Sequence, residues 1–144
     1  MVGKGNLMDK KQQNELLAAA IAARENAYVP YSHFAVGAAL LTSEGKIYTG
    51  CNIENAAFGP TVCGERTAIF KAVSEGERSF AAIAIVGGPE GGKLRSFCPP
   101  CGTCRQVMSK FCGGDFELIF GSCPEDISVY TLDQILPYRF HLEE

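Results

Sequence analysis

Cys63-Gly-Glu-Arg-Thr-Ala-Ile-Phe-Lys-Ala-Val-Ser74, followed after a short break by Phe80-Ala-Ala-Ile-Ala-Ile-Val86, is the stretch on which the fold turns. Residues 63–74 read as a helix that stops near Gly76. Residues 80–86 are apolar throughout and short, which suits a strand buried on both faces. Such a strand needs helices packed above and below it. The flanking segments supply them. Residues 9–27 predict a helix in which Asp9 and Gln12 form a capping box. Leu16, Leu17, Ala20 and Ile21 make its apolar stripe. Pro30 ends it, because the residue before a proline is driven out of helical geometry. Residues 34–41 and 47–53 read as two strands joined by a turn at 43–46, a hairpin. A small-residue loop at 55–61 leads to the helix at 63.

Downstream, residues 87–100 form a glycine- and proline-rich loop. Residues 101–111 read as a helix with Pro100 at its start, where a missing N–H costs nothing. Residues 116–121 and 127–130 are two more strands, and 132–136 a short last helix. The order α-β-β-α-β-α-β-β-α predicts an α/β fold of three layers, α/β/α, around a five-stranded mixed sheet. No internal repeat, linker or low-complexity segment divides the chain, so residues 1–144 are expected to form a single domain.

Composition narrows the classes of function. Apolar residues make up 47% of the chain, which excludes general disorder. The formal net charge is −3 and no run of Lys or Arg occurs. A protein that holds a phosphate backbone needs a basic surface, so no nucleic acid is expected as a partner. The apolar runs are too short to span a bilayer, so no membrane is expected either. The first eleven residues are polar and carry no secretory signal. Seven cysteines, an odd number, therefore point to a reducing, cytoplasmic setting in which clustered thiols bind metal or do chemistry.

The chemistry is concentrated in two patches, Cys63-Gly-Glu65 and Pro100-Cys-Gly-Thr-Cys104. Each lies where a loop feeds the first turn of a predicted helix. Free N–H groups and a partial positive charge there stabilise thiolate over thiol. Three thiolates suit zinc, and three protein ligands leave its fourth position for water. Zinc lowers the pKa of that water to about 7. Glu65, on the same turn as Cys63 and not itself a ligand, can take the water's proton and hand it to a ring nitrogen and a leaving amine. Three thiolates and one zinc sum to a negative charge. Arg66 and Arg105 are the candidates to offset it, and Arg66 is favoured because it adjoins both ligand and acid. Either motif alone is weak; both in order, each at a helix start, make a strong signal.

With these residues in place, the chain resembles the cytidine deaminase family over most of its length. The matching segments are Tyr31-Ser-His-Phe-Ala-Val-Gly-Ala-Ala-Leu-Leu41, Gly50-Cys-Asn-Ile-Glu-Asn-Ala-Ala57, Cys63-Gly-Glu-Arg-Thr-Ala68 and Pro100-Cys-Gly-Thr-Cys-Arg-Gln-Val107. Three cysteine ligands and a short chain look like the small homotetrameric branch. The resemblance implies one zinc per chain and deamination of cytidine and deoxycytidine in pyrimidine salvage. It gives Asn52 and Glu54 the ribose and sets Phe34 against the pyrimidine. The stretch Asn52, Ile53, Glu54, Asn55, Ala56, Ala57 and Phe58 would line nucleoside pockets, with Ala56 and Phe58 reaching a neighbouring subunit's site. Phe140 would close the pocket, and the Gly64 N–H would face the base carbonyl. Read without the family, Asn52 and Glu54 would end a strand and cap a turn, and Phe34 would be core. Gly64 and Phe58 depart from the family's usual alanine and tyrosine.

Two other readings stay open on sequence alone. Deaminases of polynucleotides or of aminonucleoside antibiotics share the zinc core, although the acidic balance and Asn52-Ile-Glu54 favour free ribosides. A binding module with structural zinc would need a fourth protein ligand, for which Cys98 is the nearest candidate.

Overall fold

Asp9 caps the first helix, α1 (Lys10–Arg24), through the expected box: its carboxylate accepts from Gln12 N at 2.8 Å, and Gln12 Oε1 accepts from Asp9 N at 3.0 Å. These residues belong to a computed structural model that describes residues 8–144. The polar opening of the chain, as far as residue 7, lies outside the described residues. Beyond α1 come β1 (Phe34–Thr42), β2 (Ile47–Cys51), α2 (Gly64–Ser74), β3 (Phe80–Pro89), α3 (Gly102–Phe111), β4 (Glu117–Cys123), β5 (Asp126–Thr131) and α4 (Leu132–Ile135).

The strands form one sheet in the order β2-β1-β3-β4-β5. Every neighbouring pair is antiparallel except β3 and β4, which are parallel and joined through α3. The sheet is therefore mixed and five-stranded, with the doubly buried strand β3 at its centre. Alternation along β3 divides the core in two. Ala82, Ala84 and Val86 face Leu16, Leu17 and Ala20 of α1. Ile83 and Ile85 face the other way, toward Ala68, Ile69 and Ala72 of α2 and Met108 of α3. Small residues beneath α1 let that helix lie close, while the larger ones fill the space under two helices.

Most boundaries shift by a residue or two from the sequence reading, and three of the shifts bear on the site. Strand β3 runs past Val86, pairing Gly87, Gly88 and Pro89 with Val36, Ala35 and Phe34. The glycines there are demanded by close approach: a Cβ on Gly88 would stand 2.3 Å from Lys93 O, and one on Gly87 2.5 Å from Cys98 Sγ. Helix α1 stops at Arg24, whose guanidinium turns to Ala35 O, Gly88 O and Pro89 O at 2.7–2.9 Å and pins the ends of β1 and β3 together. Strand β2 stops at Cys51, and Ile53 instead makes isolated bridges with Tyr28 and Val62.

Candidate metal centre and active site

Cys63 and Cys101 are the N-caps of α2 and α3, and neither thiol caps the backbone N–H groups of its helix. Both are free to turn toward each other. Cys104 follows in the first turn of α3 and is fully buried. The three Sγ atoms lie within 4.8 Å of one another. Cys63 Sγ and Cys101 Sγ are 3.8 Å apart. Two sulfurs on a tetrahedral zinc with bonds of about 2.3 Å stand about 3.8 Å apart, so this pair is spaced for the metal. What aims α2 is Gly50 on β2: a Cβ there would stand 2.5 Å from Ala68 N and 2.6 Å from Gly64 O. The first turn of α2 lies directly on that bare backbone.

The charges are arranged around the sulfurs. Arg66 Nη2 donates to Cys63 Sγ at 3.3 Å, and its buried Nε has no partner among the described residues. A hydrogen bond from Cys104 and the Arg66 guanidinium bring the Cys63 thiol down to about 5. Cys104 is pushed up, by that same hydrogen bond and by burial. Glu65 is only 4% exposed, and burial pushes its carboxyl up to about 7, with the charge on Cys63 adding to the effect. Arg105 points elsewhere, donating to Pro100 O at 2.9 Å and Ile135 O at 2.7 Å, where it ties the start of α3 to α4.

No fourth metal-ligating side chain joins the three cysteines among the described residues. Cys98 packs against Gly87 beside Phe34, and burial pushes its thiol up to about 11. The donor set is therefore open, the form zinc takes when water must reach it. A structural zinc closed by Cys98 does not fit this arrangement.

The residues assigned to the nucleoside are more scattered. Gly64 opens α2, so its N–H has no acceptor within the helix. Val36 connects it to Phe34's neighbourhood: a Cβ on Gly64 would lie 3.3 Å from Val36 Cγ1, and one on Gly87 3.3 Å from Val36 Cγ2. Sequence reasoning missed Val36, which looks like any strand residue. Asn52 Oδ1 accepts from Val36 N at 2.9 Å and its Nδ2 donates to Phe34 O at 2.8 Å. Glu54 accepts from Tyr31 N at 3.1 Å, Ser32 N at 3.0 Å and the Ser32 hydroxyl. These two side chains do hold a strand end and a turn. Asn55 Oδ1 accepts from Ala57 N at 3.0 Å, shaping the loop that follows. Glu54, Asn55, Ala56 and Phe58 border an open depression of about 340 Å³ with Tyr31 and Thr61, and Phe58 is 93% exposed. Phe140 is 65% exposed and lines a separate surface groove along α3, where Gln106 Nε2 donates to its carbonyl at 2.9 Å.

Residues 10–120 match the family model described as the cytidine and deoxycytidylate deaminase zinc-binding region. The chain belongs to this family. Among relatives, the cytidine deaminase of Sporosarcina psychrophila is 50% identical over 130 residues, covering 90% of this chain and 92% of its own. That of Halalkalibacterium halodurans is 49% identical over 129 residues, covering 90% and 94%. A crystal structure of cytidine deaminase from Burkholderia pseudomallei superposes with a TM-score of 0.79 at 45% identity, covering 88% of this chain and 97% of that one. The α/β fold expected from sequence is thus that of solved members of the family, and zinc is the cofactor that the three-sulfur cluster fits.

Proposed function

We propose that the chain hydrolytically deaminates cytidine and deoxycytidine to uridine and deoxyuridine with release of ammonia, and so serves pyrimidine salvage. The observation that carries this is a buried carboxyl, Glu65, beside three convergent cysteine sulfurs with no fourth protein donor among the described residues. Cys63, Cys101 and Cys104 hold the zinc, which when bound supplies the Lewis acidity that makes water a nucleophile near neutral pH. Glu65 takes the proton from that water and gives it to the ring nitrogen next to C4. A C–O bond forms at C4 and the C–N bond to the amino group breaks. Glu65 then moves the proton of the new C4 hydroxyl to the amino nitrogen, which leaves as ammonia as the C4 carbonyl forms. Burial raises the Glu65 carboxyl above the usual carboxylate range, which suits a group that both takes and gives a proton. Arg66 draws charge from the Cys63 sulfur. The Gly64 N–H is directed at the base carbonyl.

Phe34 packs against the pyrimidine, and Asn52 and Glu54 bind ribose hydroxyls. Their bonds to the backbone leave capacity for this: Asn52 keeps a second amide N–H, and a carboxylate accepts more than the three bonds Glu54 makes. Ile53, Asn55, Ala56, Ala57 and Phe58 contribute to pockets shared between subunits of a homotetramer, and Phe140 closes a pocket. The exposure of Phe58 and Phe140 supports this division, since aromatic groups left in water in one chain suit a neighbour's site. The whole chain acts as one domain. It works in the cytoplasm, where its seven cysteines stay reduced and unpaired in disulfides. Among the described residues no helix is long and apolar enough to cross a membrane.

The test is a parallel spectrophotometric assay of the zinc-loaded protein on cytidine, deoxycytidine and cytosine. Turnover of both nucleosides is expected; no ammonia from either overturns the reading. Glu65→Ala should keep zinc and fold and lose turnover by several orders of magnitude. Normal turnover in that variant would remove Glu65 from the mechanism.

A further inference from the structure

Phe34 is held by its backbone at three points. Its N–H donates to Ser32 Oγ at 3.0 Å, its carbonyl accepts from Asn52 Nδ2 at 2.8 Å, and it pairs with Pro89 across the sheet. None of these contacts fixes the ring. The loop between β3 and α3 does that. Arg95 places its guanidinium carbon 5.0 Å from the centre of the Phe34 ring, within the range of a cation–π contact. The loop is itself anchored there, since Arg95 N donates to Gly87 O at 2.8 Å. Gly87, lacking a side chain, leaves room beneath the same loop: a Cβ there would stand 2.5 Å from Cys98 Sγ and 3.1 Å from Phe34 Cε2. A half-buried aromatic ring on a strand thus lies beneath a guanidinium from a loop that is itself tied to the end of β3.

We propose that Arg95 is a positioning residue for substrate binding: by stacking on Phe34 it fixes the ring in the orientation that receives the pyrimidine. This rests on the reading of Phe34 as the platform for the base. The guanidinium is planar and weakly hydrated, so it lies on a ring where an ammonium would stay in water. The effect belongs to binding. Phe34 is not among the groups that move protons, so a loosened ring weakens the hold on the base and leaves the chemical step alone.

The experiment measures KM and kcat for cytidine, and the dissociation constant of uridine by calorimetry, in zinc-loaded wild type, Arg95→Met, Arg95→Lys, Phe34→Leu and Phe34→Leu/Arg95→Met. Lys93→Met, which removes an exposed charge from the same loop, is the control. Expected for Arg95→Met is a rise of about two- to fivefold in KM and in the uridine constant, the size of an exposed cation–π contact, with kcat within about twofold. Arg95→Lys recovers part of it, and Lys93→Met leaves both constants as in wild type. In the Phe34→Leu background, where KM is already raised, Arg95→Met adds nothing. An equal penalty from Arg95→Met with and without Phe34 overturns the proposal, as do unchanged constants in Arg95→Met beside a raised KM in Phe34→Leu. If Phe34→Leu itself binds and turns over nucleoside normally, Phe34 is not the platform. That failure is separable because it shows in the single Phe34 variant.

Discussion

Arg66 directs Nη2 at Cys63 Sγ while its buried Nε finds no partner among the described residues. The guanidinium is drawn to the charge of the sulfurs, with the Cys63 sulfur accepting its hydrogen bond. Replacing it by a neutral group should leave the thiolates less stable and the zinc more weakly bound. Arg66→Gln is expected to lower zinc affinity by about 10- to 100-fold in competition with a chromogenic chelator; an unchanged affinity would make Arg66 a bystander. His33 carries a different constraint. It is not glycine, yet its φ is 56°, in a turn held by Glu54 and by a 2.7 Å bond from Glu90 N to its carbonyl. A β-branched residue fits that conformation poorly, so His33→Val should cost about 1–3 kcal/mol in urea denaturation while His33→Asn stays near wild type. At this scale the sequence is uneven. Three cysteines and a glutamate at two helix starts could be read because thiol chemistry depends on local spacing. The bonds that Asn52 and Glu54 make could not, because their partners Val36, Phe34, Tyr31 and Ser32 come from a segment brought near only by folding.

Helix α2 sets the site because its first turn rests on Gly50 of β2. A methyl group at Gly50 meets backbone atoms, Ala68 N and Gly64 O, which cannot rotate away. The helix must lift, carrying Cys63 and Glu65 with it. Gly50→Ala is therefore expected to cost at least about 1–3 kcal/mol and to leave substoichiometric zinc after dialysis, measured by denaturation and elemental analysis. Gly64→Ala is the useful contrast. Its Cβ would stand 3.3 Å from Cys51 Cα and Val36 Cγ1, tight but relieved by shifts of a few tenths of an ångström. Alanine also favours the helix, so this variant should stay within about 1 kcal/mol of wild type and keep its zinc. A large loss of stability at Gly64, or none at Gly50, would reverse this account of how α2 is seated. The same physics explains the boundary that sequence reading misplaced. Gly87 and Gly88 signal a loop by composition, yet both belong to β3 and are bare because residues 93–98 pass directly over them. Glycine marks a missing side chain, and a sequence does not say whether a turn or a neighbour requires it.

Across the whole molecule, the layer order was legible because it follows from periodicity: alternation along β3 demands two apolar covers, and the helical stripes on either side in the chain provide them. What periodicity does not show is which surface meets another chain. The segment between α1 and α2 leaves Tyr31 and Phe58 exposed around the depression that Glu54 borders, and Tyr28 and Ile53 exposed elsewhere on the same segment. Burying that group against a second copy would remove apolar surface from water at about 25 cal/mol per Å² and would complete the pocket beside Glu54. Assembly and activity should then fall together. The wild-type protein is expected to scatter light as a species of about four times the 15.5 kDa chain. Phe58→Asp, which places a charge in the proposed contact while leaving the metal cluster untouched, should shift the protein toward smaller species and lower kcat/KM with its zinc retained. A wild-type monomer with full activity would confine the site to one chain. A tetrameric Phe58→Asp with normal kinetics would move the contact to another face.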